Sequence, residues 1–291
     1  MKRETHERHT RVANDLMYYI YTHIDTEINL DELAQMFRIN KFTMHKIFKE
    51  IFGTNIYESI KSIRLQKASN LLLTNRYSTI TQIANVCGYS SQTSFIRAFK
   101  ERFGMTPNQW RKGGFQTYSH ALLTQADYPR ETTLDFEHLQ PKIVKMPDTQ
   151  AFYIRHKGYK KTIQLTWQKI QAWLFSHDVT HYTLISLFHD NPAITPLDEC
   201  HHVACIRVNE ARKINDQRLP ELTISGGLCA AFDIEGKRGD ILRFIHWVYH
   251  EWLPQSGYET TTKPPFAIYR KNHHLSEDGW FDMTFYLSIR F

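Results

Sequence analysis

The stretch "GYSSQTSFIRAFKERFGMTPNQW", Gly88 to Trp110, decides how the first third of this chain folds, because its middle occurs twice. Phe-Lys-Glu-x-Phe-Gly stands at Phe48–Gly53 and again, fifty-one residues on, at Phe99–Gly104. In the later copy, "ITQIANVC" places Ile80, Ile83, Ala84 and Val86–Cys87 on one helical stripe. Gly88 follows where a helix must stop, since glycine accepts a left-handed C-terminal cap. Ser90 and Ser91 are good N-caps for a second helix, in which Phe95, Ala98, Phe99 and Phe103 recur at helical spacing. Gln92, Thr93, Ile96, Arg97 and Lys100 are left on its outer face. Helix, tight turn and helix with a polar, basic outer face is a helix-turn-helix pattern.

The earlier copy repeats the logic. Leu30, Leu33, Ala34 and Phe37 form the first stripe, and Asn40 caps a helix that turns Met44, Ile47, Phe48 and Ile51 inward. Lys41, Phe42, His45, Lys46 and Lys49 point outward. Ala34 and Phe48 are 14 residues apart, whereas Ala84 and Phe99 are 15 apart, so the second turn holds one residue more. Between the copies, Ile56, Ile60, Ile63, Ala68, Leu71 and Leu72 trace a long amphipathic helix, and "VANDLMYYIYTHI" traces another before the first copy. The first third therefore reads as all-helical.

Charge separates this region from the rest. The chain has 291 residues and a net charge of +6, but residues 1–115 hold 17 Lys+Arg against 10 Asp+Glu, and the remainder holds 19 against 20. A basic first domain beside a near-neutral second one fits a polyanion reader with an appendage, or simply a basic surface. A length of 291 residues favours two domains over one core. Four cysteines in so long a chain do not read as a disulfide framework. No signal-peptide core and no run of about 18 apolar residues occurs, so the expected setting is a reducing cytoplasm, without membrane contact.

The residues of the first third resemble the DNA-binding domain of the AraC family of transcription regulators, and within it the MarA–SoxS–Rob branch. The resemblance rests on Ile83-Ala84 through "GYSSQTSFIRAFKERFGMTPNQWR", on Arg64-Leu65 with Ala68 and Leu71-Leu72, and on Trp110 in the closing motif. It implies that Phe42, His45 and Lys46 in one helix, and Gln92, Thr93, Ile96 and Arg97 in the other, meet base edges. Arg and Lys suit guanine, Gln suits adenine, and Phe42 or Ile96 suits a thymine methyl. Asn40, Lys41, Lys49, Ser91 and Lys100 then serve as phosphate contacts, which position without specifying. By the same resemblance the protein binds double-stranded DNA as a monomer, activates, and recruits RNA polymerase. One departure stands out: the family's glycine in the first turn is Arg38 here. Positive φ at a non-glycine residue costs roughly 1 kcal/mol, so that turn is expected to differ in shape.

Beyond a linker at residues 114–136, the pattern becomes α+β. "AFYIRHKGY" reads as a strand and glycine turn, "KTIQLTWQKIQAWLF" as a helix, and "YTLISLFHD" and "HHVACIRV" as strands. From Leu219 the order recurs: "ISGGLCAAFDIEGK", "DILRFIHWVYHEWL", "PFAIYRKN" and "WFDMTFYLSI". Gly158 and Gly236 are 78 apart, and Trp173 and Trp252 are 79 apart. The expected architecture is thus an all-α double helix-turn-helix domain over 1–113 and a domain over 137–291 built from two pseudo-symmetric ββα-type repeats.

A groove between such halves is expected to be aromatic, with Tyr153, Trp173, Tyr182, Trp247, Trp252, Tyr269 and Trp280 as candidates to line it. The alternative for each is the core. Ser225-Gly226-Gly227, Trp252-Leu253 and Pro265-Phe266 to Tyr269 resemble the GyrI-like effector-binding domain, which implies a small-molecule effector. Family members often carry a glutamate where this chain has Ala267, which shifts the expectation toward a neutral or anionic effector, unless Asp282, Glu235 or aromatic faces hold a cation. The resemblance leaves two other readings, a protein-interaction module and a GyrI-like hydrolase. No phosphate loop, nucleophile elbow or carboxylate pair supports catalysis, and no cofactor is implied. Cys200-His201-His202 with Cys205 carries zinc-ligand residue types, but nothing completes a set, so solvent-facing histidines beside buried cysteines are expected. His6–His9 and His273-His274 read as surface pairs.

Overall fold

Asn29, Asn40, Asn55, Thr79, Ser91 and Thr106 each cap the start of a helix in the first third. The computed structural model describes residues 2–75, 77–125, 135–136, 138–159, 162–209 and 219–291. Two compact units result, Met1–Gly114 and Phe115–Phe291.

In the first unit the helices are α1 (Lys2–His23), α2 (Leu30–Met36), α3 (Lys41–Phe52), α4 (Ile56–Thr74), α5 (Ile80–Val86), α6 (Gln92–Phe103) and the short α7 (Pro107–Gln109). Asn40 accepts the Thr43 N–H at 2.7 Å, and Ser91 accepts the Ser94 N–H at 3.2 Å. These caps satisfy donors that a helix N-terminus otherwise leaves bare. At the other ends, Gly53 (φ 72°) and Gly104 (φ 70°) donate to Lys49 and Lys100 carbonyls, each at 2.9 Å. The repeated Phe-Lys-Glu-x-Phe-Gly is therefore the last turn of each second helix with its left-handed cap.

The first turn does not differ in shape. Phe37, Arg38 and Ile39 donate to Leu33, Gln35 and Ala34, just as Cys87, Gly88 and Tyr89 donate to Ile83, Asn85 and Ala84. Arg38 takes φ 53° where Gly88 takes φ 75°. The family turn is kept and its backbone strain is accepted, which corrects the expectation drawn from Arg38. The extra residue in the second copy is Ser90, which lies between the turn and the Ser91 cap.

Packing ties the two helix pairs to α4. Leu16, Ile20, Leu33, Met44 and Phe48 form one core with Ile56, Ile60 and Ile63 of α4. The second pair stacks Phe95, Phe99, Phe103 and Trp110 in sequence, with neighbouring rings 4.5–5.6 Å apart from Phe95 to Phe103 and 4.7 Å from there to Trp110. The Trp110 indole N–H donates to the Ser69 carbonyl on α4 at 3.2 Å. Lys67, also on α4 and 4% exposed, donates to the Asp25 carboxylate and to the Val86 carbonyl at 3.0 Å.

The second unit opens with α8 (Phe115–Gln125). This helix occupies the start of the stretch read as a linker; residues 126–134 and 137 lie outside the described residues. The strands and helices that follow are β1 (Lys142–Met146), β2 (Thr149–Lys157), α9 (Ile163–Ser176), β3 (Tyr182–Phe188), β4 (His201–Val208), β5 (Glu221–Ile224), β6 (Gly227–Lys237), α10 (Arg238–Trp247), α11 (Leu253–Gln255), β7 (Glu259–Thr260), β8 (Phe266–Lys271) and β9 (Trp280–Arg290). One π-turn, Val248–Trp252, joins α10 to α11.

The antiparallel sheet runs β1-β6-β9-β8-β3-β4-β2-β5, with β7 beside β9. This order is a palindrome of the two repeats, with β3 pairing β8 at its centre through Ser186↔Ala267. Each half lends its first strand to the other: β1 pairs β6, and β5 pairs β2. One face is covered by α9 and α10, where Trp167, Ile170, Phe244 and Val248 meet Ile206, Phe232 and Phe285. On the other face Ala151, Leu222 and Ile224 from one edge share a cluster with Val144, Met146 and Cys229 from the opposite edge. Only Ser225 and Gly226 join β5 at one edge to β6 beside the other, a span too short for a flat sheet of this width, so the sheet curls. At the closure a Cβ on Gly226 would collide with the Met146 carbonyl oxygen.

The two turns of the first unit make opposite predictions. Gly88→Ala adds left-handed strain and sets a Cβ 2.7 Å from the Arg64 guanidinium, and is expected to cost about 1–2 kcal/mol. Arg38→Gly relieves similar strain, but glycine frees the unfolded chain by about 0.4–1 kcal/mol, so stability should move by roughly 0.5 kcal/mol or less. Urea unfolding followed by helix content checks both; equal losses would refute the shared geometry.

Candidate functional site

Offset by fifty-one residues, the outer faces of α3 and α6 present matched positions: Lys41 with Gln92, Phe42 with Thr93, His45 with Ile96, Lys46 with Arg97, and Lys49 with Lys100. Phe42, Lys46, Lys49, Gln92, Thr93, Arg97 and Lys100 are exposed, and His45 and Ile96 are half-buried. Phe42 is 79% exposed, which is much bare ring on a polar helix face. The inward positions of the same helices, Met44, Phe48, Phe95 and Phe99, are fully buried, so the orientation of each face is fixed by packing.

Some of these side chains already have partners. Lys41 pairs with Asp31 at 3.0 Å, the His45 ring stacks on Tyr57 at 5.5 Å, and Gln92 Oε1 accepts from the Thr81 hydroxyl at 2.8 Å. Among the described residues Lys46, Lys49, Arg97 and Lys100 form no ion pair. Glu101 is near Arg97, but its carboxylate is held by Lys61 at 3.0 Å, which keeps its pKa below the usual range. Each helix thus carries two cations on the same two turns, with a cap at its N-terminus.

The seven aromatic candidates of the second unit do not converge. Strand alternation sends Tyr153 to the face away from α9 and α10, with the Arg155 guanidinium 4.9 Å from its ring. Trp173 is core, packed on Phe152 at 5.0 Å. Tyr182 and Trp280 are the first residues of β3 and β9, 40% exposed and half-buried respectively. Trp247 and Trp252 line a wide recess of about 1030 Å³ with Phe136, Tyr258 and Glu251. Only Tyr269 lines the space between the halves.

That space, about 490 Å³ with its solvent-filled mouth, is bounded by Tyr159, Phe188 and His202 from the first half and by Arg238, Ile245 and His273 from the second. His274 and Leu242 also border it. Residues of both repeats therefore meet there, as the duplication suggests. His202 is 1% exposed, and His273 and His274 are 9% and 8% exposed, which overturns the expectation of surface histidines. Burial, with weaker contributions from neighbouring charges, pushes His202 and His273 down to about 3 and lowers His274 further. All three are neutral at physiological pH. Tyr159, His202, Arg238, His273 and His274 were not singled out for this site from the sequence. Paired histidines at the end of an apolar strand were the available signal.

The side chains of the cysteine-histidine run from Cys200 to Cys205 do not converge with one another. His202 and Ala204 face the helices, Val203 and Cys205 face the other way, and His201 is bonded to Asp190 at 2.8 Å. No cluster of three metal-ligating side chains forms among the described residues. Asp282 is bonded to Arg270 at 2.7 Å, and neither it nor Glu235 borders the pocket. Among the described residues no helix is long and apolar enough to cross a membrane.

Residues 139–290 match the GyrI-like small molecule binding domain, and residues 33–113 match a helix-turn-helix domain. The chain is 30% identical over 115 residues to the probable transcription factor PqrA of Proteus vulgaris, covering 39% of this chain and 93% of that protein. It is 31% identical over 134 residues to the transcriptional regulator Rob of Salmonella typhimurium, covering 40% of this chain and 46% of that one. Among solved structures, an AraC-type regulator from Chromobacterium violaceum is 23% identical over 36% of this chain and 92% of its own, with a TM-score of 0.33. The chain belongs to the GyrI-like family and, with an AraC-type helix-turn-helix region ahead of that domain, is an AraC-family DNA-binding transcription regulator.

Proposed function

We propose that α3 and α6 enter successive major-groove segments on one face of a DNA duplex, and that a small molecule bound in the second unit modulates this binding. The observation that carries the reading is the matched construction of the two helices: same caps, same buried stripe, and cations at the same two outer positions. One recognition helix reaches only a few base pairs, whereas two held by one chain can read segments about 34 Å apart. Such a protein reads an asymmetric site as a monomer, in the cytoplasm.

Base readout falls to Phe42, His45, Lys46, Gln92, Thr93, Ile96 and Arg97. Asn40, Lys41, Lys49, Ser91 and Lys100 position the backbone. Activation through RNA polymerase is the role the family resemblance supports, and no chemistry on a substrate is required. In the second unit the largely apolar, concave space between the repeats suits a small molecule better than a peptide. The same elements that wall it also hold α8. The Ser119 hydroxyl donates to the Ala193 carbonyl at 2.9 Å and lies 2.8 Å from His246 Nδ1, while Pro192 and Ile245 border the space. Since α8 begins at the residue after the DNA-binding unit, a ligand that shifts these walls acts on the segment through which the two units are joined.

Selection of bound duplexes from a random pool should return a bipartite motif with its halves about one helical turn apart. Arg97→Ala should relax one half and Lys46→Ala the other, each costing about 1–3 kcal/mol of discrimination. Lys100→Ala should instead weaken all sequences alike and reduce the salt dependence by about one phosphate contact. A motif with a single half, or binding controlled wholly by salt, would sink the two-reader account.

A further inference from the structure

Resting on the reading of the central space as the effector site, we propose that it takes a small apolar monoanion, a carboxylate on an aromatic or aliphatic body, with Arg238 as counter-ion and the Tyr269 hydroxyl as second donor.

Among the described residues no Asp or Glu borders the space, and Ala267, on β8, is fully buried. Arg238 is therefore, among the described residues, the one formally charged side chain in the lining. It is half-buried at the start of α10, and one of its terminal nitrogens donates to the Tyr159 carbonyl at 2.9 Å. A guanidinium has five N–H donors, so most remain for a ligand. Among the described residues no carboxylate pairs with Arg238, and its positive charge reaches His273 and His274, whose protonation it opposes. A cationic ligand would meet the same repulsion. A carboxylate meets a planar fork of matching geometry.

The second donor follows from hydrogen-bond direction. The Ser186 hydroxyl donates to the Tyr269 oxygen at 2.9 Å, so the Tyr269 proton is directed elsewhere. Burial pushes this phenol up to about 12, which keeps it a donor at neutral pH. His202 and His273 each keep an Nδ1 without a hydrogen-bond partner and, being neutral, present a donor or an acceptor according to tautomer. The rest of the wall, with Phe188, Leu242 and Ile245, is apolar and accepts a hydrocarbon body.

Calorimetric titration of the full chain with 2-naphthoate, naphthalene-2-carboxamide and 2-naphthylmethylammonium separates charge from shape. The naphthoate should bind at least tenfold more tightly than either of the others, about 1.4 kcal/mol. Arg238→Gln should remove that advantage and leave carboxamide binding unchanged, and Arg238→Lys should restore part of it. Tyr269→Phe should weaken naphthoate several-fold. Thermal melting confirms that each variant folds. If the ammonium probe binds as well as the naphthoate, or if Arg238→Gln leaves naphthoate unaffected, the anion site is overturned while the effector pocket stands. If none of the three probes binds at millimolar concentration, pocket and anion site fail together.

Discussion

A single buried ammonium, that of Lys67, joins the parts of the DNA-binding unit that must stay in register. It lies on α4 and reaches the Asp25 carboxylate after α1 on one side and the Val86 carbonyl at the end of α5 on the other. The first helix pair packs on α1 through α3, and the second is entered through α5, so both are referred to one helix. Arg64, one turn earlier on α4, adds a bond to the Thr26 carbonyl at 3.1 Å and fills the space above Gly88. A charge this buried is costly unless it is fully bonded, and here both bonds are to backbone or side chain of the elements being aligned.

The helical part of this arrangement was legible because its signals are local. Caps, left-handed glycines and 3.6-residue stripes fix each helix within a dozen residues, and Phe48–Gly53 repeats Phe99–Gly104 without regard to tertiary context. Where the reading failed, at Arg38, local chemistry pointed the other way: a residue that dislikes positive φ was expected to reshape the turn. The surrounding hydrogen bonds, identical in both copies, over-determine it.

The second unit was legible in its order of elements and not in its site. Alternation along a strand tells which residues share a face, but it does not tell which face meets helices and which closes on itself. Tyr153 and Tyr269 therefore read alike in the sequence and end on opposite sides of the sheet. The histidines misled for a related reason. His202, His273 and His274 are buried as neutral rings among Trp167, Phe188 and one another, an environment assembled from strands far apart in sequence. All of α8 lies in the stretch that reads as a linker, because its anchor, Ser119, finds its partners more than seventy residues away.

Why the space lies against α10 and not against α9 follows from a broken symmetry. With the 78-residue offset of Gly158 and Gly236, the sheet-facing residues Ile163, Thr166, Trp167 and Ile170 of α9 correspond to Ile241, Phe244, Ile245 and Val248 of α10. The offset becomes 79 at Trp173 and Trp252 because the π-turn at Val248–Trp252 inserts one residue. In this register the indole of Trp167, fully buried and 5.9 Å from the Tyr269 ring, corresponds to the smaller Ile245. One repeat fills its side of the two-fold with an indole. The other leaves that volume open beside Arg238.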